Sequence, residues 1–235
     1  MKKLLLNGCS FGEFWKPSTK FISAMRCSSY VNISRPATSF QRTCRSTVEW
    51  MAQNGDPGFV VIPITFAHRW ELGIADKTID SIDGVWYPLQ TSDLLEKDNA
   101  VKRKINPTVD RKKLAKMLEL YYGLIPDQRT YWDKMFSEMI MLSGFLSSRN
   151  VPHLFFDMCN NFQKDIIEKW SGFEKLLYIT SNKSVIDLFG FCGNKYMQQS
   201  LDPKQKFFNV HHKPKEYLVL ESYLQSYVEQ NLWKE

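Results

Sequence analysis

Apolar residues come in short runs that alternate along the chain with segments of helical periodicity. Residues 4–6 form the first run, and residues 59–66 form a longer one. Such runs are typical of strands that are covered on both faces. Residues 30–34 and 151–156 predict two further strands, and residues 175–179 fit either a strand or the end of a helix.

Apolar side chains at helical spacing predict the helices between these strands. Thr38 or Ser39 is placed to cap a helix that extends to about residue 52. Further helices are expected over about 110–122 and 130–148. A last amphipathic helix, entered through residues 211–214, is marked by Leu220, Leu224, Tyr227 and Val228. Strands that alternate with helices predict parallel βαβ crossovers, with helices on both faces of the sheet.

The length of 235 residues favours a single domain with insertions. Periodicity is lost between about residues 73 and 110, where turn signals such as Asp83-Gly84 and Pro88 occur. We therefore expect an irregular insertion there, with at most short helices. Loops of this length in compact domains are often lids or binding loops.

Composition and charge narrow the class of protein. Hydrophobic residues make up 43% of the chain and charged residues 24%, which is typical of a globular protein. The net charge of +6 comes from basic residues spread along the chain, with local runs at 102–104 and 111–113. Because no basic face with interleaved aromatic residues is evident, the charge does not favour a dedicated nucleic-acid-binding protein.

Cysteine usage and hydropathy bear on the compartment. The cysteines form no C-x-x-C pair and have no metal-ligand spacing, which favours reduced thiols in a cytoplasmic setting. The apolar run at residues 4–6 is shorter than a signal peptide requires, and no stretch approaches the length of a membrane span. The expectation is a cytoplasmic protein without a membrane anchor.

The first apolar run ends in Gly8-Cys9-Ser10-Phe11-Gly12. This pattern predicts a strand that breaks into a tight turn, with Ser10 as a nucleophile at the carboxyl edge of the sheet, where ligands bind in parallel sheets. Gly8 and Gly12 are expected to adopt backbone angles that other residues resist. The alternative is an ordinary turn in which Ser10 caps the next helix.

Serine becomes a strong nucleophile only when a base accepts its proton, and that base is most often histidine. His68 and His153 adjoin strands, whereas His211 and His212 precede the last helix. The order of nucleophile first and histidine last, on an α/β sheet, points to hydrolases.

Gly8-Cys9-Ser10-Phe11 resembles the opening block of the SGNH (GDSL-type) hydrolases, above all the divergent members encoded by phages. Residues 32–40 occupy the frame of the family's second block, with Ala37 in place of the oxyanion glycine and Phe40 in place of an asparagine. Residues 65–71 resemble the third block of the phage-type members, a strand followed by Arg-x-Glu. The Gly-x-Asn-Asp of typical members is absent.

The last block of the family places the catalytic histidine just before the final helix. His211 has that register, and His212 then occupies the position of the family's proline. Phe208 stands where the triad acid is expected, three residues before His211. A shift by one residue gives Asn209-x-x-His212, in which Asn209 orients the imidazole. The register favours His211, and His212 stays an alternative.

The resemblance implies a three-layer α/β/α sandwich with a parallel, flavodoxin-like sheet over residues 1–235. It also implies a serine esterase that needs no metal or cofactor and acts on acyl or acetyl esters, often on carbohydrate. Ser10 would attack the ester carbonyl. The Ser10 amide, in the turn that Gly8 opens, would hold the oxyanion together with the Ala37 amide or the side chain of His68 or Arg69.

The departures from the family pattern support a second hypothesis. A chain with Phe208 at the acid position and Ala37 at the oxyanion position could have kept the fold and lost efficient chemistry. It would then be a binding or structural protein, for example a component of a virion. If the chain is phage-encoded, its location is the host cytoplasm or the virion.

Other residues admit a structural and a functional interpretation. Arg69 and Glu71 fit either a surface ion pair or the active site, and His68 fits either a structural histidine or an oxyanion donor. Asp157 either lines the site or caps a helix. Three tryptophans fit either a sugar-stacking surface or the core: Trp15, Trp70 and Trp86.

Overall fold

The computed structural model describes residues 2–36, 38–67, 69–73, 86–89, 116, 119–120, 128–159, 175, 178, 181–188, 190–201 and 214–233. They form a parallel four-stranded sheet together with helices, which confirms the predicted α/β class. The strands are β1 Lys3–Leu6, β2 Ser29–Asn32, β3 Phe59–Ile64, β4 Trp70–Gly73, β5 Trp86–Leu89 and β6 His153–Asp157. The helices are α1 Ser10–Glu13, α2 Thr19–Ala24, α3 Phe40–Asn54, α4 Gln128–Ser148, α5 Gly193–Leu201 and α6 Pro214–Asn231.

The main sheet has the strand order β2-β1-β3-β6, and all its pairs are parallel. Leu6 pairs with Asn32 on one side and with Val61 on the other. An isolated parallel bridge joins Val185 to Phe155, on β6. Because the strands are parallel, the turns that follow them emerge at one edge of the sheet.

Each face of the sheet is covered by its own apolar cluster. Leu4 and Leu6 of β1 are buried with side chains of α2, α5 and α6. Leu5 faces the other way and is buried with side chains of α3 and α4. The alternation of neighbouring residues to opposite faces explains why the strands are apolar throughout. No helix among the described residues is both long and apolar enough to span a membrane.

Several local predictions are confirmed. Ser39 is the N-cap of α3, and its hydroxyl accepts a hydrogen bond from the Arg42 amide at 3.1 Å. Trp15 belongs to the core, because it is 1% exposed and stacks on the Tyr217 ring with centroids 5.9 Å apart. Lys175 and Tyr178 are helical, and the other residues of the segment 175–179 lie outside the described part of the chain.

The segment around residues 73–110 contains structure that the sequence pattern did not predict. Strands β4 and β5 pair antiparallel, with Glu71 opposite Pro88. Pro88, a turn signal in the sequence, lies inside β5, because a proline is tolerated in a strand where no ladder partner needs its N–H. Helices α2 and α5 were not predicted either. Residues 74–85 and 90–115 lie outside the described part of the chain.

Asn7 links the end of β1 to α3. Its side chain is fully buried, and Nδ2 donates to the Thr43 carbonyl at 2.9 Å, Ser46 Oγ at 2.9 Å and Thr47 Oγ1 at 2.8 Å. A buried amide with these partners fixes the position of the helix relative to the strand.

Replacing Asn7 by alanine should therefore destabilise the fold. The loss of these hydrogen bonds should lower the free energy of unfolding by about 2–4 kcal/mol, measured by urea denaturation. Asn54→Ala is the control, because Asn54 makes an exposed bond to the Trp50 carbonyl in the same helix. An equal loss in both variants would contradict the anchoring role of Asn7.

His153 is a buried, neutral histidine at the amino end of β6. Its Nδ1 faces the Val151 carbonyl at 3.0 Å, so Nδ1 carries the proton, and Nε2 accepts from Ser143 Oγ at 2.8 Å. Burial lowers the pKa of His153 below its ordinary value of 6.5. As the pH falls below 6.5, the unfolded chain binds a proton that the folded chain does not, so stability is lost on acidification.

The free energy of unfolding should accordingly fall between about pH 6.5 and 5, with a contribution from His153 of at most about 1.4 kcal/mol per pH unit. The His153→Gln variant should have a shallower pH dependence over the same range, whatever its absolute stability. Urea titrations at a series of pH values measure both slopes. If the free energy of unfolding has the same slope against pH in wild type and in the variant, His153 does not contribute to the pH dependence.

Candidate functional site

Ser10 lies at the carboxyl edge of the sheet, at the first position of α1. Cys9 occupies the N-cap position, so the alternative in which Ser10 caps this helix is wrong. The Ser10 residue is 9% exposed. The prediction of a strand that breaks directly into a turn carrying Ser10 is confirmed.

The turn depends on glycine for space rather than for unusual backbone angles. Gly55 is the one described glycine with a positive φ, so the expectation of special angles at Gly8 and Gly12 is wrong. A Cβ on Gly8 would lie 2.8 Å from Pro63 Cγ and 3.0 Å from the Pro63 carbonyl oxygen. Such contacts are too short, so the chain approaches β3 more closely than another residue allows.

The end of β2 holds the other side of the turn. Asn32 Nδ2 donates to the Gly12 carbonyl at 2.8 Å and to the Trp15 carbonyl at 3.1 Å, and its Oδ1 accepts from the Ser34 amide at 3.0 Å. Ser34 Oγ packs against Gly12 and is buried with no hydrogen-bond partner in the described structure. The carboxyl end of α1 is thereby fixed to the edge strand.

The chain after β3 brings Arg69 to the same edge. Arg69 Nη1 donates to Thr65 Oγ1 at 3.0 Å, and the guanidinium lies 4.7 Å from the centroid of the Phe66 ring. Cys159 is the main cause that lowers the pKa of Cys9, the neighbour of Ser10, and the positive charge of Arg69 lowers it further. The side chain of Glu71 lies outside the described part of the chain, so the choice between a surface ion pair and a place in the site stays open for Arg69.

The chain after β6 supplies Asp157 and Cys159. Asp157 is 1% exposed, and its Oδ1 accepts a hydrogen bond from the Cys159 amide at 3.0 Å. It therefore caps a turn at the carboxyl edge. The neighbouring Cys159 side chain is the main cause that lowers the pKa of Cys9, to about 6. Sequence reasoning missed Cys159, although Cys9 and Cys159 each follow a strand by a few residues.

The last helix is bound directly to the Ser10 turn. Tyr217 Oη, in the first turn of α6, donates to the Phe11 carbonyl at 2.6 Å. Further along α6, the buried Glu221 accepts hydrogen bonds from Trp15 Nε1 at 2.8 Å and from the Ser18 amide at 3.0 Å. The first turn of α6 is thereby fixed beside the turn that carries Ser10.

Among the predicted site residues, the structure brings together Gly8, Ser10 and Arg69. His153 begins β6, bonds Ser143 and Val151, and so belongs to the opposite edge of the sheet. The other predicted site residues lie outside the described part of the chain: Ala37, His68, Asn209, His211 and His212. The side chains of Trp70 and Trp86 lie outside it as well.

A cavity of about 740 Å³ opens beside the edge strand β2, between the end of α1 and α3. Its walls include Tyr30, Asn32, Ser34, Arg42 and Trp50, but Ser10 is not among them. In the described ranges, no group of three or more His, Cys, Asp or Glu side chains is arranged to hold a metal ion.

No protein-family model and no curated protein matches this chain.

Substitution of Gly8 by alanine tests the close approach to β3. The added Cβ meets a proline ring and a strand carbonyl, so we expect a loss of about 1–3 kcal/mol in the free energy of unfolding. The control is Gly144→Ala in α4, where nothing lies within 4 Å of the new Cβ. That variant should gain about 0.5–1 kcal/mol from helix propensity. If Gly8→Ala leaves the free energy of unfolding unchanged in thermal or urea denaturation, the close approach to β3 does not require glycine at this position.

Proposed function

We propose that this chain is a serine ester hydrolase of the SGNH type, with Ser10 as nucleophile and His211 as base. The finer fold that goes with this proposal is a three-layer α/β/α sandwich with a flavodoxin-like sheet. The order β2-β1-β3-β6 and the parallel bridge beyond β6 support it, because they fit a doubly wound sheet with a strand order of 2-1-3-4-5.

The observation that carries the proposal is the hydrogen bond from Tyr217 to the Phe11 carbonyl. It fixes the first turn of α6 beside the turn that carries Ser10, although the two are far apart in sequence. His211 stands three residues before Pro214, the first residue of α6. Three peptide units span at most about 11 Å, which limits the distance of residue 211 from the helix start.

The mechanism follows the usual division of roles in serine hydrolases. Ser10 Oγ attacks the ester carbonyl while the imidazole of His211, or of His212, accepts its proton. The same imidazole then protonates the leaving alcohol, and a water molecule hydrolyses the acyl-enzyme. The substrates proposed are acyl or acetyl esters, including esters on carbohydrate.

The oxyanion would be held by the Ser10 amide and by a second donor, for which Ala37, His68 and Arg69 are the candidates. The Ser10 amide belongs to the first turn of α1 and has no acceptor within the helix. Arg69 adds a positive charge at the same edge of the sheet. In a water-poor site such a charge stabilises a developing negative charge strongly.

A second candidate function is a binding or structural protein on the same fold, for example in a virion. Two observations favour it: Ser10 is only 9% exposed, and the cavity beside β2 is lined by other residues. A protein of this kind would keep the fold and bind a ligand without turning it over.

Hydrolysis of short-chain p-nitrophenyl esters by purified protein tests the first function. We expect wild type to hydrolyse them and Ser10→Ala to lose at least about 10³-fold in kcat. A fluorophosphonate probe should label wild type and leave Ser10→Ala unlabelled. Ser34→Ala is the matched control, because Ser34 is also buried at this edge but has no assigned chemical role.

The pair His211→Ala and His212→Ala identifies the base. Loss of the base should match the effect of Ser10→Ala, while loss of the other histidine should leave most of the activity. If wild type and Ser10→Ala are indistinguishable in both assays, the esterase proposal fails and the binding function is favoured.

A further inference from the structure

The outer side of β2 is an open edge of the main sheet. β2 comes last in the order β2-β1-β3-β6, so among the described residues only β1 pairs with it. The Leu6 carbonyl accepts a hydrogen bond from the Ile33 amide at 2.9 Å. Because backbone groups alternate in direction along a strand, those of Tyr30 and Asn32 point away from β1. These two amides and two carbonyls have no hydrogen-bond partner among the described residues.

The residues of β2 favour pairing with another strand. Edge strands are usually protected from such pairing by lysine, proline or a bulge. β2 has the sequence Ser-Tyr-Val-Asn, which contains neither lysine nor proline, and its register with β1 is regular over its whole length. Tyrosine and valine both favour strands, and Tyr30 is 37% exposed. The open edge is therefore suited to accept a further strand.

The cavity of about 740 Å³ extends along this edge, and its walls come from both faces of the sheet. α3 packs on one face and contributes Arg42, Trp50 and Gln53. The chain after α1 contributes Lys16 and also Trp15, which is buried in the cluster on the other face. Since walls stand on both sides of the sheet, the space between them lies in line with the sheet, next to β2. An added strand would occupy this position.

The length of the cavity fits a short extended peptide. Arg42 Nη1 donates to the Ile33 carbonyl at 3.1 Å, which places Arg42 at the carboxyl end of β2. From there α3 continues to Gln53, the last of its residues in the wall. At 1.5 Å per residue this part of the helix is about 16 Å long, the length of about five residues of strand. A row of backbone donors and acceptors along such a space is complementary to a peptide backbone.

Positive charge predominates in the walls. Three cationic residues line the cavity: Lys16, Arg35 and Arg42. The acidic wall residues are Glu13 and Glu49, and Glu49 is already paired with Arg45 at 3.3 Å. Arg35 is exposed just beyond the carboxyl end of β2. This excess favours a peptide that carries an acidic side chain near that end.

We propose that β2 and the cavity beside it form a docking site for an extended peptide segment of a partner protein. The segment joins the sheet as a further strand, and its acidic side chain faces Arg35. The backbone groups of Tyr30 and Asn32 bond the peptide backbone, while α3 and the chain after α1 contact its side chains alternately. Ser10 does not line this cavity, so the docking site is independent of the esterase proposal.

Selection of random decapeptides by mRNA display on the full-length chain tests the docking site. Tyr30→Pro removes an outward amide and places a ring in the path of the peptide, while the hydrogen bonds of β2 to β1 stay in place. Tyr30→Val is the matched control, since it also lacks the tyrosine ring but keeps the amide. Selected peptides should bind Tyr30→Pro at least about tenfold more weakly than Tyr30→Val in fluorescence anisotropy. They should bind Ser10→Ala as tightly as wild type.

Methylation of the peptide backbone gives a second test, which needs wild type alone. Only every second amide of an added strand faces β2. N-methyl groups on one set of alternate residues should therefore abolish binding, and on the other set should change the affinity by less than about threefold. The selected peptides should also be enriched in Asp or Glu, and Arg35→Glu should weaken their binding at least about threefold.

Three results would overturn the proposal. In the first, no selected peptide distinguishes Tyr30→Pro from Tyr30→Val. In the second, methylation of the two alternate sets has equal effects, and this comparison decides if circular dichroism shows that Tyr30→Pro is unfolded. In the third, wild type sediments as a dimer and Tyr30→Pro as a monomer, which would make a second copy of the chain the occupant of the edge.

Discussion

The close approach of Gly8 to Pro63 determines where β1 ends, and the arrangement of the site follows from it. The Val61 carbonyl accepts a hydrogen bond from the Asn7 amide. Backbone groups two residues apart in a strand point to the same neighbouring strand, so the backbone of Pro63 also faces β1. Pro63 has no N–H to offer there, and β1 cannot continue along β3. The chain turns away at Gly8, where the missing side chain leaves room for the proline ring, and Ser10 begins α1 at once. A proline inside a central strand is thus compatible with the sheet because the neighbouring strand has already ended.

The elements that the sequence predicts are those whose signals are local. The apolar runs of β1, β3 and β6 identify buried strands, and Ser39 identifies the start of α3, because side-chain burial and helix capping involve residues close in sequence. The prediction that Ser10 follows directly on a strand succeeds for the same reason. The expectation of unusual backbone angles at Gly8 fails because a sequence does not reveal that a distant proline ring fills the space a side chain would need.

Features that depend on the strand order lie beyond such reasoning. Cys9, Arg69 and Cys159 follow three different strands, and they meet because β1, β3 and β6 are adjacent in that order and parallel. A sequence with many equivalent apolar runs does not specify this order by itself. The pairing of β4 with β5 is missed for a related reason, since neither of these short segments has a regular apolar pattern that identifies its partner.

The hydrogen bond from Tyr217 to Phe11 joins residues that are 206 positions apart. Closing so large a loop costs entropy, which only the finished core can offset. During synthesis the turn with Ser10 leaves the ribosome early, but the contact that holds it appears only after α6 has been made. Nascent chains and products truncated before residue 217 therefore carry an incomplete site. Whatever chemistry or binding occurs at this edge is confined to chains whose synthesis has passed that point.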